Sequence, residues 1–323
     1  MEVTKETFDS LEVEWRELAA KTATPSVFGT VAWQRAWWVS CRSAEDLALL
    51  AFRTGGDVRG IAPLMRSGET TRFIAYSDLC DHHDFLVQAG AEAEFYPAFL
   101  DTVEAAGWTA LEFDGLVEGS PTLELLPALA RQRGWRVEQT LDEVSPVNLV
   151  PSTWEAYLHG LGKKDRHELR RKLRRLSAAG EVSCYDASRS DDLAHHLAVF
   201  LEMFKASREE KAAFLTASRE QFFYRLADAM AGEGYLRLYF LELDGEKVAA
   251  SLCFDYEGQM YLYNSGYNTK YASLSVGIVL KVLCIKEAIE QGRSRFHFLR
   301  GAESYKYHIG AQDCQLYRLV MQH

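Results

Sequence analysis

Apolar positions fall along this chain in two alternating rhythms. Between residues 7 and 21, Phe8, Leu11, Val13, Trp15, Leu18 and Ala19 recur at roughly helical spacing. Phe28 to Ser40 predicts a second helix, capped by Thr30, with Trp33 and Trp37 on one face. Such a pair reads first as core and second as the wall of a groove. The period then shortens to two. Leu47–Arg53 and Val58–Met65 flank the turn TGGD, a hairpin signal, and Thr71–Tyr76 and Asp84–Val87 are shorter strand candidates. Glu92–Ala106 predicts an amphipathic helix stopped at Gly107, followed by the strand Trp108–Phe113, the helix Ser120–Arg133 and the strand Trp135–Thr140. Val147–Val150 reads as the last strand of this first lobe.

The second half repeats the alternation. Trp154–Leu161 and Lys163–Ala179 are predicted helices, the latter with the stripe Leu169, Leu173, Leu176 and a stop at Gly180. Asp192–Ser207 and Arg219–Ala231 are two more, with Arg208–Ala217 as a polar loop between them. Tyr235–Leu243 and Lys247–Tyr256 flank DGE, a second hairpin, and Gln315–Met321 is a closing strand. Element order echoes between the halves. Gly107 and Gly292 each end a helix that leads into an aromatic strand, 185 residues apart; the hairpin turns at Gly56 and Gly245 lie 189 apart. Two lobes of one architecture are expected.

The chemistry concentrates between Gln259 and Gly310. An alternating aromatic strand (Met260, Leu262 against Tyr261, Tyr263) runs into a polar loop, Asn264 to Leu274. Ser275 opens a helix rich in Val, Ile and Leu; the strand Arg295–Leu299 and a turn holding Arg300, Glu303, Tyr305 and Lys306 follow. Free N–H groups and the dipole at such a helix start suit a phosphate, and Gly277 in its first turn allows close approach. Asn268, Ser275, Val276 and Gly277 are therefore candidate anion-binding residues. In the turn, Glu303 is a candidate base and Tyr305 a candidate acid, while Lys306 suits a phosphate or a substrate carboxylate. The bland alternative is a solvated cluster of ion pairs on a capped helix.

Composition narrows the classes. Net charge is −10, but residues 1–162 hold 12 Lys and Arg against 25 Asp and Glu, whereas residues 163–323 hold 24 against 21. That balance argues against a duplex nucleic-acid partner and leaves the second half able to take a small anion. From Lys163 to Arg175 the chain has 8 basic and 2 acidic residues. This is a solvated helix face, or one from which Arg170, Arg171 or Arg174 reaches an anionic substrate or an RNA backbone. The six cysteines are scattered and read as reduced thiols. In CDHHDF, adjacent His82 and His83 point to opposite sides of an extended segment, so no metal site is expected. GxSxG, Walker and GxGxxG motifs are absent. The polar N-terminus and the charge-interrupted run Val276–Ile289 predict no membrane span, and a cytoplasmic location is the default.

These elements together resemble a known family. The hairpin, the aromatic strand, the loop entering a helix with an early Gly, FHFLRG and AESYKYHIG look like the C-terminal half of a GNAT-fold acyltransferase. KKDRHELRRKLRRL and DHHDFLV further resemble the CelD-like and Fem-like branch, which carries two GNAT lobes in tandem. The resemblance implies an α/β fold of two GNAT-like lobes, each a mixed, mostly antiparallel sheet flanked by helices. Residues 1–150 would form the acceptor-side lobe and 151–323 the lobe with the donor site. It implies an N-acyltransferase that moves acetyl from acetyl-CoA directly to an amine acceptor, a small molecule or cell-envelope precursor held between the lobes, without a metal. The donor's pyrophosphate would lie at the loop before Gly277, although the dense glycines usual there are missing. Tyr305, rather than Tyr307, would be the acid, and Asp81 and Asp84 would orient the acceptor amine. The alternatives are a Fem-like transferase using aminoacyl-tRNA and a non-catalytic binding or scaffold protein of the same fold. Within the chain, WTALEF is followed by DGLVEGSP, with neither Tyr nor Lys. That asymmetry puts the chemistry in the second lobe.

Overall fold

The computed structural model describes residues 1–75 and 79–323 and divides into two units. The first comprises Met1–Val144 with Cys314–His323, the second Ser145–Asp313.

In the first unit β1 (Glu2–Lys5) precedes α1 (Phe8–Ala19) and α2 (Val31–Cys41). Thr7 and Ser10 exchange reciprocal side-chain to backbone bonds that start α1, and Thr30 caps α2. Trp33 and Trp37 are buried as core. The hairpin of β2 (Asp46–Thr54) and β3 (Asp57–Ser67) leads to β4 (Thr70–Phe73) and β5 (Leu86–Val87). Its turn needs Gly55 and Gly56 at positive φ, 63° and 92°. The strand expected over Thr71–Tyr76 thus ends at Phe73, and Tyr76 lies outside the described residues. Next come α3 (Glu92–Ala105), β6 (Ala110–Val117), α4 (Pro121–Gln132) and β7 (Arg136–Val144). Phe52, Phe73, Phe85, Phe95, Phe99 and Phe113 form the aromatic centre of this unit's core.

The second unit holds β8 (Val147–Leu149), α5 (Trp154–Gly160), α6 (Lys163–Ser177), β9 (Val182–Asp186) and α7 (Leu193–Ser207). It continues with α8 (Glu209–Phe214), α9 (Ala217–Gly232), β10 (Leu236–Leu243), β11 (Glu246–Tyr256) and β12 (Gln259–Tyr267). A 3-10 turn (Thr269–Leu274), α10 (Val276–Glu290), β13 (Arg295–His297) and α11 (Ser304–His308) complete it. The final strand, β14 (Gln315–Gln322), belongs to the first unit.

Two sheets result. The first runs β1-β2-β3-β4-β6-β14-β7, with β5 also on β3; the second runs β8-β13-β12-β11-β10-β9. In each, one parallel pair interrupts an antiparallel sheet: β4 with β6, and β12 with β13. Each parallel pair is joined by a helix, α3 or α10, that ends at a glycine in the left-handed region (Gly107, φ 66°; Gly292, φ 67°). The echo seen in the sequence is therefore an echo of topology.

Four expectations change. Val147–Val150 is not the last strand of the first lobe, because β8 pairs with β13. The closing strand does not close the second lobe, because β14 lies between β6 and β7. The division at residue 150 is thus replaced by a first unit assembled from both ends of the chain. Arg208–Ala217 contains the helix α8, which Phe214 anchors against Phe204, ring centroids 6.1 Å apart, with the Arg219 guanidinium 4.2 Å from the centre of the Phe214 ring.

Helix α7 crosses β12 at Gly266. A Cβ there would sit 2.4 Å from the Phe204 nitrogen and 2.5 Å from the Met203 carbonyl carbon, both backbone atoms. Gly266→Ala is expected to destabilise the second unit by about 1–3 kcal/mol, read as a lower urea midpoint; an unchanged midpoint would contradict this packing.

Candidate active site

The site is built where β12 and β13 stop pairing. Their parallel register covers only Gln259–Tyr261 and Arg295–His297. The last rung is a stacked Tyr261–His297 pair, centroids 4.5 Å apart. Beyond it, β12 continues to Tyr267 with β11 alone, and the register skips Tyr263, a bulge that re-aims the strand. The chain after β13 turns through Leu299 (φ 61°) and Gly301 (φ 102°) into α11. One edge of Leu262–Tyr267 is thereby left without a strand partner.

At the end of that edge α10 begins. Asn268 spends its side chain on structure: its Oδ1 accepts from Lys270 N–H at 3.1 Å, and its Nδ2 donates to Glu246 at 3.3 Å. Ser275 takes a left-handed conformation (φ 58°) and does not cap α10 with its side chain. Instead its Oγ accepts from Arg175 Nη2 of α6 at 2.9 Å. The N–H groups of Ile278 and Val279 donate to the Ser275 carbonyl, so Val276 and Gly277 carry the free donors of the first turn. Gly277 packs under Tyr267; a Cβ there would meet the ring at 3.3 Å. Arg175 Nε is buried with no partner among the described residues. Arg175, not Arg170 or Arg174, is the α6 arginine at this helix start, and the latter two are exposed.

The turn after β13 is locked by Lys306. Its buried Nζ donates to the carbonyls of Leu299, Arg300 and Gly301 at 2.7–2.9 Å and pairs with Glu303 Oε2 at 2.9 Å. Lys306 was expected on a phosphate or a substrate carboxylate; its donors are already committed to this turn, so its place is structural. Glu303 lies over Gly301, where a Cβ would be 2.6 Å from its Oε2. Burial pushes the Glu303 carboxyl up, but Lys306 and Arg208 outweigh it and hold the group below its ordinary range. Tyr305 is half-buried, and burial together with the Glu303 charge raises its phenol far above the usual value. It therefore stays protonated, able to give a proton but not to take one.

Tyr305 also lines a pocket of about 330 Å3. Leu169, Ile278 and Ile309 supply apolar walls, and Lys164, Lys172 and His308 are among its polar members.

Sequence reasoning passed over three cations in this region. Lys281 of α10 is buried, its Nζ 3.3 Å from the Gly277 carbonyl and 5.2 Å from the centre of the Tyr305 ring. Burial, reinforced by Arg208, lowers its ammonium to about 8. Lys211 of α8 donates to the Ser265 carbonyl on the free stretch of β12 and is likewise lowered to about 8, by burial and then by Lys281 and Arg208. Arg208 sits at the α7–α8 junction. The available signal was the position of Lys281, one turn after Gly277 in the otherwise apolar first half of α10.

In the first unit, Asp84 accepts from Ser120 Oγ at 2.5 Å, from the Phe85 N–H at 2.8 Å and from Thr122 Oγ1. Ser120 is the cap of α4, so Asp84 anchors that helix start. Asp81 is partly exposed beside it. His83 Nε2 lies 3.1 Å from the Ala75 carbonyl and its Nδ1 3.4 Å from Asp114. Among the described residues no group of three His, Cys, Asp or Glu could hold a metal ion.

Two outcomes follow from these placements. Lys306→Met leaves three carbonyls without their donor and is expected to cost at least about 2 kcal/mol, measured by urea unfolding; a neutral effect would refute the lock. Burial raises Asp84 from 3.8 to about 6 despite its hydrogen bonds. The native state then binds more protons than the unfolded one between those values, so stability falls as pH rises through about 4 to about 6 and is flat above. Unfolding across that range should show this slope in the wild type and a flatter one in Asp84→Asn; equal slopes would reject the assignment.

Comparison with known proteins gives the geometry a family. Residues 163–307 match the model of the acetyltransferase (GNAT) domain. The fold is similar to that of FemX, at 14% identity and TM-score 0.70, covering 98% of this chain and 97% of that one. It is also similar to a tandem GNAT protein from the clavulanic acid biosynthesis pathway (14% identity, TM-score 0.54, 98% and 97% covered). A third is L-PGS from Bacillus licheniformis (14% identity, TM-score 0.56, 85% and 83% covered). No curated protein matches the chain. No helix of the described residues is long and apolar enough to cross a membrane. Residues 163–307, within the second unit, therefore match the acetyltransferase (GNAT) domain, and the chain as a whole has a tandem GNAT-like fold similar to that of FemX.

Proposed function

We propose that the second unit transfers an acyl group from acyl-coenzyme A, acetyl-CoA first among candidates, to an amine. The observation that carries this reading is the unpaired edge of β12 at Leu262–Tyr267, which ends at the open start of α10 beside Tyr305. An acyl chain laid along that edge finds backbone donors and acceptors that have no strand partner, the Ser265 carbonyl being held by Lys211. Phosphates at the α10 start find the Val276 and Gly277 N–H groups, with the buried, unpartnered Nε of Arg175 nearby. These residues fit such a donor, which supplies the activated thioester.

The protein's own groups then act as follows. The free amine attacks the acyl carbonyl, the C–N bond forms and the C–S bond breaks. Tyr305, held protonated, gives its proton to the departing thiolate, while the proton shed by the attacking nitrogen passes to solvent, from which Tyr305 is reprotonated. Glu303 was expected to be the base. Its carboxylate is bound to Lys306 and held below its ordinary range, so it is a poor proton acceptor and instead keeps the turn that carries Tyr305 in place.

A second reading, an aminoacyl ester of tRNA as donor, has one specific support. The turn before α10 is a 3-10 helix that already spends several of its N–H groups. Meanwhile α6 exposes Lys163, Lys164, Arg170 and Arg174, cations suited to a sugar–phosphate backbone.

Calorimetric titration with acetyl-CoA, paired with a thiol-release assay on a panel of amines, separates the two. The first reading expects binding well below millimolar and ribonuclease-insensitive turnover. Absence of binding at millimolar donor sinks it, and ribonuclease-sensitive transfer favours the second. Within the first reading, Tyr305→Phe should lower kcat at least about 100-fold with donor affinity nearly unchanged; unaltered turnover would remove Tyr305 from the mechanism.

A further inference from the structure

The second unit holds an excess of positive charge that nothing in the reaction above uses. Arg208, Lys211 and Lys281 come from three places: the α7–α8 junction, α8 and α10. Among the described residues none of the three forms an ion pair. The acidic group within their electrostatic reach is Glu303, and it is bound to Lys306. Lys281 is buried at 7% exposure, and the one hydrogen bond its ammonium makes is a 3.3 Å contact to the carbonyl of its own helix. Lys211 is held by a single carbonyl, that of Ser265, with the Phe204 ring 4.7 Å from its Nζ. Each ammonium has three donors, so each keeps unused ones.

Burying like charges without a counter-charge is costly, and structures relieve it by pairing or by neutralisation. Here no ion pair among the described residues supplies that relief. The anchoring carbonyls also locate the cluster: Ser265 lies on the unpaired edge of β12, Gly277 lies in the first turn of α10, and the Lys281 ammonium stands over the Tyr305 ring.

We infer that Lys211 and Lys281, with Arg208 at the rim, form a seat for a carboxylate on the amine acceptor, so that the acceptor is an amino acid or a peptide-like amine rather than a simple amine. This rests on the acyl-transfer reading for the identity of the ligand, but not for the existence of the seat. The carboxylate would be fixed between two ammonium groups near Tyr305, leaving the amine of the same molecule free to reach the acyl carbon. Two localised point charges suit a carboxylate that must be placed but also released. The donor's phosphates have their own place at the Val276 and Gly277 N–H groups.

The test uses the full chain and its melting temperature. Succinate is compared with sodium chloride and with inorganic phosphate at matched ionic strength, for wild type, Lys211→Met and Lys281→Met. Succinate should raise the wild-type Tm by at least about 2 °C over chloride, and each variant should lose that response. Without added anion, Lys281→Met should melt no lower than wild type, because it removes an uncompensated buried charge; a lower melt would mean that Lys281 is a packing element and would overturn the seat. An equal response to succinate and chloride in the wild type, or an undiminished response in both variants, also overturns it. A response to phosphate but not to succinate rejects the carboxylate assignment. In the thiol-release assay, alanine is compared with ethylamine. The seat expects kcat/KM at least about tenfold higher for alanine, with that ratio collapsing in Lys281→Met. Loss of all thiol release while the succinate response persists would sink acyl-CoA transfer and leave the seat standing.

Discussion

The second unit depends on one buried ammonium. Lys306 gathers the carbonyls of Leu299, Arg300 and Gly301 around a single charge. Three consecutive carbonyls pointing at one cation make a tight curve that a strand cannot follow. β13 must therefore end at His297, and the chain leaves β12 after three paired residues. The unpaired edge, the exposed start of α10 and the position of Tyr305 all descend from that curve. Glu303 completes the arrangement by balancing the charge, and Gly301 gives its carboxylate room.

The polarity of the surroundings then follows a division of labour. Carboxylates near the site are spent on scaffolding: Glu246 on the Asn268 and Lys270 turn, Glu303 on Lys306, Asp165 on His308. Cations are left in surplus. In the first unit the balance is reversed. Asp84 is enclosed by neutral hydroxyl donors and an N–H, and its burial disfavours the charge it would otherwise carry. The same fold type thus carries an acid whose charge burial disfavours in one unit and cations without an ion pair in the other.

Much of the architecture was legible from periodicity. TGGD and DGE marked hairpins because only residues tolerant of positive φ close two-residue turns, and Gly107 and Gly292 ended helices for the same reason. The alternation around Tyr261 and the apolar helix after Ser275 gave the strand–helix–strand core. Which sheet a strand joins was not legible: Val147–Leu149 and Gln315–Gln322 show ordinary strand patterns, and pattern carries no partner address. Side-chain roles divided similarly. Tyr305 could be placed beside the helix start from sequence order alone. Lys306 looked like a ligand-binding cation because its three carbonyl partners come from a turn that no periodicity predicts. Lys281 looked like a blemish in an apolar run, and Arg175 was one arginine among many. Their significance comes from burial, which local sequence does not report.

The return of β14 to the first sheet has a consequence in time. A ribosome releases the chain from its N-terminus, so β6 and β7 emerge with the place between them vacant. That vacancy persists while some 170 further residues, Ser145–Asp313, are made. The second unit can close upon itself first, being contiguous, while the first waits for its last strand. During that interval two strand edges of the earlier-made half stand open to any extended segment nearby. The half that is translated first is thus the half that is finished last, and loss of β14 would damage it rather than the unit in which acyl transfer is proposed.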